Sequence, residues 1–152
     1  MIQEKKSYDT KDLILKVKQH YDKSKLKLDY YDRFLDALCG NREYHKQAIQ
    51  NAIIYLASGE YNTINDLVKT NHYDNPELRK RYADLDDYFR KLQLPNKLSA
   101  TIDLATGTGK SYVMYGIAQI ALSIGLVEKV LLLCPSKTIE KQLNKKFIEL
   151  IA

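Results

Sequence analysis

Leu98-Ser99-Ala100-Thr101-Ile102-Asp103-Leu104-Ala105-Thr106-Gly107-Thr108-Gly109-Lys110-Ser111 is the stretch on which the reading of this chain turns. Residues 98–104 read as a strand and 109–124 as a helix, so the glycine-bearing segment falls at a strand-to-helix junction. A helix N-terminus offers unpaired N–H groups and the positive end of the helix dipole, both suited to an anion. Gly107 and Gly109 let the backbone curl so that successive amides point inward. Lys110 adds a mobile positive charge for the β and γ phosphates of a nucleoside triphosphate. Ser111 adds a hydroxyl for the Mg²⁺ that accompanies them. Thr106, Gly107, Thr108, Gly109, Lys110 and Ser111 are therefore the candidate nucleotide-binding residues, with Ser111 as candidate metal ligand. The full loop pattern has a glycine five residues before Gly109, where this chain has Leu104.

Downstream, residues 129–134 read as a second strand and 137–151 as a helix. Val130-Leu131-Leu132-Leu133 is a continuous apolar run, as expected of a strand covered on both faces. Strand, helix, strand, helix at this spacing predicts an α/β fold, the start of a parallel P-loop sheet with right-handed crossovers.

Upstream of Pro95 the chain is helical, charged and tyrosine-rich. Thr10 can cap a helix through Leu13, Ile14 and Val17. A second helix spans 30–38, with Gly40 as its stop. A third spans about 42–58: Asn41 is its expected cap, Gly59 lies past its end, and Ala48, Ile49, Ala52, Ile53 and Leu56 repeat at helical spacing. Thr63-x-x-Asp66 is a capping pattern for a short helix. Asn75-Pro76 opens another, carrying Leu78, Tyr82, Leu85, Tyr88, Phe89 and Leu92 on one side as far as Pro95. Three parts are expected: a helical N-terminal segment at 1–40, a helical region at 41–95, and the first part of a P-loop lobe at 96–152.

Among the 152 residues, 45% are hydrophobic, which suits a globular core and excludes a disordered or disulfide-scaffold chain. The two cysteines, Cys39 and Cys134, read as reduced thiols of a cytoplasmic protein. Neither a signal peptide nor a membrane-length apolar run is visible. A net charge of +5 is compatible with a polyanionic partner and equally with solvated helix faces.

The segment Asp103-Leu104-Ala105-Thr106-Gly107-Thr108-Gly109-Lys110-Ser111 resembles motif I of superfamily 2 helicases, most closely the restriction-enzyme branch represented by the Res subunit of type III enzymes. Alanine ahead of the loop and the missing first glycine are common there, whereas kinases and GTPases generally keep that glycine. Val130-Leu131-Leu132-Leu133-Cys134-Pro135-Ser136-Lys137 resembles motif Ia, whose turn lies against the nucleic-acid backbone. The resemblance thus implies nucleic-acid contacts at Pro135, Ser136, Lys137 and Thr138; a well-capped helix start is the other reading of the same residues. Arg42-Glu43-Tyr44-His45-Lys46-Gln47 resembles the family's Arg-x-Tyr-Gln segment, in which the glutamine reads adenine. His45 stands at the aligned position and Gln47 two places on, so Tyr44, His45 and Gln47 are candidate adenine contacts. A half-exposed helix residue is the alternative for His45.

The resemblance covers roughly 41–152. It implies ATP and Mg²⁺ as cofactors, duplex DNA as partner and a possible modification subunit; with no membrane-length apolar run, no membrane association is expected. In this family an Asp-Glu-x-His segment holds Mg²⁺ and positions the attacking water. No Asp-Glu pair occurs between Ser111 and Ala152. The catalytic set is therefore incomplete, and the chain reads as the N-terminal piece of a longer ATP-dependent translocase or helicase, inactive alone. Two other readings stand beside it. One is a different P-loop ATPase or kinase; the other is a helical interaction or DNA-binding module with a vestigial loop.

Overall fold

A computed structural model of the chain describes residues 13–105 and 107–152. Its helices are α1 (Asp32–Cys39), α2 (Glu43–Ala57), α3 (Ile64–Asp74), α4 (Pro76–Arg81), α5 (Leu85–Lys91), α6 (Lys110–Ser123) and α7 (Lys137–Ile151), with a 3₁₀ turn at Leu28–Tyr31 ahead of α1. Two compact units divide them: residues 59–101 with the described part of 1–20, and residues 21–58 with 102–152.

In the unit holding α3 to α5, Thr63 and Asp66 form the expected reciprocal cap at the start of α3. Asp66 accepts from the Asn62 and Thr63 amides at 2.8 and 3.1 Å. The helix expected from Thr10 through Val17 is not formed between Ile14 and Lys18. Other partners take its backbone groups. The Lys16 amide donates to Asn71 Oδ1 at 2.7 Å, the Lys16 carbonyl accepts from Asn71 Nδ2 at 2.9 Å, and the Lys18 amide donates to the Tyr61 hydroxyl at 3.0 Å. Side chains of α3 and its flank thus offer this segment an alternative to helical pairing. Thr10 itself lies outside the described residues. The long helix expected after Asn75-Pro76 is divided into α4 and α5. His72 Nε2 meets the Tyr82 carbonyl at 2.6 Å, and the Asp84 side chain accepts from the Asp86 amide at 3.0 Å to begin α5 afresh. Of the expected apolar stripe Leu78 is fully buried, while Tyr82 and Tyr88 stack at 4.2 Å.

The unit holding α1, α2, α6 and α7 has its core where the first three meet. Leu35, Cys39, Ile49, Ile53, Val113 and Ile120 are buried there. Gly116 sets the spacing: a Cβ on it would stand 2.5 Å from Ile49 Cδ1 and 3.0 Å from Leu38 Cδ2, so α2 and α6 touch where a side chain is missing. α7 joins through Phe147, whose ring meets Tyr115 edge-on at 5.3 Å.

The α/β expectation is wrong for this structure. Among the described residues there is no strand; 98–104 and 129–134 carry no ladder bonds, and the fold is helical. The apolar run at 130–133 implied cover on both faces, yet Leu131 is 80% exposed and Leu133 82%. A strand is stabilised by a neighbour that takes its N–H and C=O groups, and a local apolar pattern does not supply one. Helices carry their own hydrogen bonds, so they form here without such a partner.

Candidate nucleotide-binding site

The segment from Ala105 to Ser111 turns into α6 through two glycines in the left-handed region, Gly107 at φ 77° and Gly109 at φ 86°. Thr108 pins the turn: its amide and its hydroxyl both donate to the Ala105 carbonyl, at 3.3 and 2.6 Å. Gly109 is the N-cap of α6, and no side chain caps that helix. The Lys110 and Ser111 amides stand at the positive end of the dipole, without a backbone partner among the described residues. Lys110 is exposed and Ser111 half-buried. Thr106 lies outside the described residues.

α2 brings a second set of groups to the same turn. A Cβ on Gly109 would lie 3.1 Å from His45 Cε1, 3.1 Å from Tyr112 Cδ2 and 3.5 Å from Arg42 Nη1. Both the positive φ and this crowding call for glycine at 109. His45 is fully buried, and neither Nδ1 nor Nε2 has a hydrogen-bond partner among the described residues. An unmet donor in such a place costs about 1–3 kcal/mol, so a buried orphan calls for an explanation. The alternative of a half-exposed helix residue does not hold for His45. Tyr44 lies edge-on to the imidazole at 4.5 Å and is itself exposed. Gln47 is exposed on the following part of α2.

Tyr112, on the first turn of α6, ties the parts together. Its ring stacks at 6.2 Å on His45, the Arg42 guanidinium lies 4.5 Å from its centroid, and Lys146 Nζ of α7 lies 4.8 Å from it. A hydrogen bond from Lys146 lowers the Tyr112 hydroxyl pKa; partial burial opposes that shift, and Arg42 adds to it. Arg42 is held in place by donating from Nε to the Cys39 carbonyl at 3.2 Å. Sequence reasoning missed Arg42, Tyr112 and Lys146 as members of one cluster. One signal was available for His45: it heads the series His45, Ile49, Ile53 at i+4 spacing, which marks it as inward-facing.

Pro135, Ser136, Lys137 and Thr138 are all exposed. Ser136 caps α7, its hydroxyl accepting from the Ile139 amide at 3.3 Å. Ser136 thus makes the bond that a well-capped helix start requires. No hydrogen bond or ring contact joins these four residues to the glycine turn among the described residues. Both cysteines are free thiols. Among the described residues no helix is long and apolar enough to cross a membrane. Nor does any group of His, Cys, Asp or Glu there form a metal-binding cluster.

Comparison with sequence models of known families gives a match. The sequence model of the family described as type III restriction enzyme, res subunit, matches residues 38–152, which takes in α2, the glycine turn, α6 and α7. No curated protein and no solved structure was found to match the chain.

Proposed function

Because this chain belongs to the type III restriction enzyme res subunit family, we propose that it is the ATP-binding part of an ATP-dependent DNA translocase or helicase of a restriction system. The observation that carries this reading is the uncapped N-terminus of α6, preceded by two left-handed glycines and bearing an exposed lysine. Triphosphate oxygens accept from the amides of Gly107 to Ser111, and Thr106 is a further nucleotide contact in this reading. Lys110 pairs with the β and γ phosphates, and the Ser111 hydroxyl is the protein's ligand to Mg²⁺. The residues suit that group: the orphan amides, the ammonium and the hydroxyl fall on one helical turn, where an anion lowers their cost. Bound Mg²⁺ would neutralise phosphate charge. Tyr44 and Gln47, both exposed, are the residues free to meet the adenine.

In this proposal residues 96–152 hold the nucleotide and the strand contacts, and 41–95 the base contacts. Pro135 to Thr138 lie against duplex DNA, using the Lys137 ammonium and the amides ahead of α7 on backbone phosphate. A modification subunit completes the system, which works in the cytoplasm. The expected behaviour of residues 1–152 by themselves is ATP binding without steady turnover, since no Asp-Glu pair occurs among them.

A fluorescent ATP analogue titrated with Mg²⁺ tests both halves. Saturable binding displaced by unlabelled ATP, with no steady phosphate release, is the expected result. Absence of displaceable binding contradicts the nucleotide site, and steady release abolished by Lys110→Ala contradicts the claim of inactivity.

A further inference from the structure

The atom of His45 nearest the Cβ position of Gly109 is Cε1, at 3.1 Å. Cε1 is bonded to both Nδ1 and Nε2. The imidazole therefore presents its N–C–N edge to Gly109, and the two nitrogens on that edge are the buried atoms without partners among the described residues. Beside the same glycine, Arg42 Nη1 lies 3.5 Å from that Cβ position. A helix N-terminus alone is a common feature. Here a fully buried polar ring, with no partner among the described residues, is directed at it from a second helix.

We infer that His45 contacts phosphate and does not read the base: its ring N–H donates a hydrogen bond to a non-bridging oxygen of the bound triphosphate. This rests on the proposed triphosphate site and assigns a residue within it. A neutral imidazole always carries one N–H, so the donor is present without a change of charge. Gly107 and Gly109 are the positions at which the turn can rotate at least steric cost to bring an oxygen to that edge. Arg42 adds positive charge beside the same oxygen, and its place over the Tyr112 ring fixes its direction. Adenine readout then falls to the exposed neighbours Tyr44 and Gln47.

Calorimetric titration separates phosphate contact from base contact when the two halves of the ligand are used in turn: Mg²⁺-tripolyphosphate and adenosine. His45→Leu is expected to weaken tripolyphosphate binding about tenfold, the loss of one strong hydrogen bond, and to leave adenosine binding unchanged. His45→Gln, which keeps an N–H donor, is expected to recover most of that loss. It also serves as the reporter if the leucine variant does not fold. Unchanged tripolyphosphate affinity in the variants overturns the assignment, as does a loss confined to adenosine. Wild-type chain that binds no tripolyphosphate overturns the triphosphate site as a whole. That failure is told apart because Lys110→Ala then has no effect either.

Discussion

Lys110→Ala is expected to weaken Mg²⁺-ATP binding about 10- to 100-fold while leaving the melting temperature unchanged. The range follows from losing a hydrogen bond to a charged group, worth about 1.5–3 kcal/mol. Lys110 is exposed at the first position of α6 and makes no ion pair among the described residues, so its truncation leaves no buried gap. Surface changes of that kind usually alter stability by no more than about 0.5 kcal/mol. Affinity and melting temperature measured on the same samples check the pair of statements. Equal affinity in variant and wild type would remove the triphosphate from this turn. A large fall in melting temperature would mean that Lys110 has a structural role the geometry does not show.

The second large effect is on stability. Gly116→Leu places a branched side chain where even a Cβ would come within 2.5 Å of Ile49 Cδ1, 3.0 Å of Leu38 Cδ2 and 3.2 Å of Ile49 Cγ1. Ile49 is fully buried and Leu38 nearly so, which leaves neither much room to swing aside. Overpacking a filled core costs about 1–3 kcal/mol for added methylenes, and four carbons across a helix pair stand at or above the upper end of that range. Leucine's better helix propensity returns only about 1 kcal/mol. Urea unfolding followed by helical circular dichroism should show a loss of about 2 kcal/mol or more. An unchanged midpoint would mean that α2 and α6 do not pack through this glycine.

Helices were legible where local chemistry decides them. Thr63 and Asp66 form a reciprocal cap, Gly40 and Gly59 follow their helices in left-handed geometry, and Ser136 caps α7. Each of these is settled within a few residues of chain. The sequence pattern misled where the deciding partner is distant. Val130 to Leu133 has the composition of a covered strand, but nothing among the described residues pairs with it. Residues 14–18 lose their helix to Asn71 and Tyr61, groups more than 40 positions away. His72, reaching the Tyr82 carbonyl, likewise helps separate α4 from α5 in a stretch that periodicity reads as continuous.

The same division holds at the candidate site. Gly107, Gly109, Lys110 and Ser111 could be picked out because their spacing along the chain is the signal. The cluster of Arg42, His45, Tyr112 and Lys146 depends on α2, α6 and α7 meeting, and no spacing encodes that. His45 is instructive: the apolar series it heads pointed inward, while its resemblance to an adenine-reading position pointed to a ligand. Burial at 0% exposure, with nitrogens that have no partner among the described residues, makes both signals relevant, since the ring is in the core and also faces Gly109.

The central claim, that the turn from Ala105 to Ser111 holds the phosphates of ATP, is tested most directly by amide NMR shifts of the labelled chain on addition of Mg²⁺-ATP. The largest changes are predicted at Gly107, Thr108, Gly109, Lys110 and Ser111, with a further change at the His45 ring. Shifts confined to other segments, or none at saturating nucleotide, would contradict it.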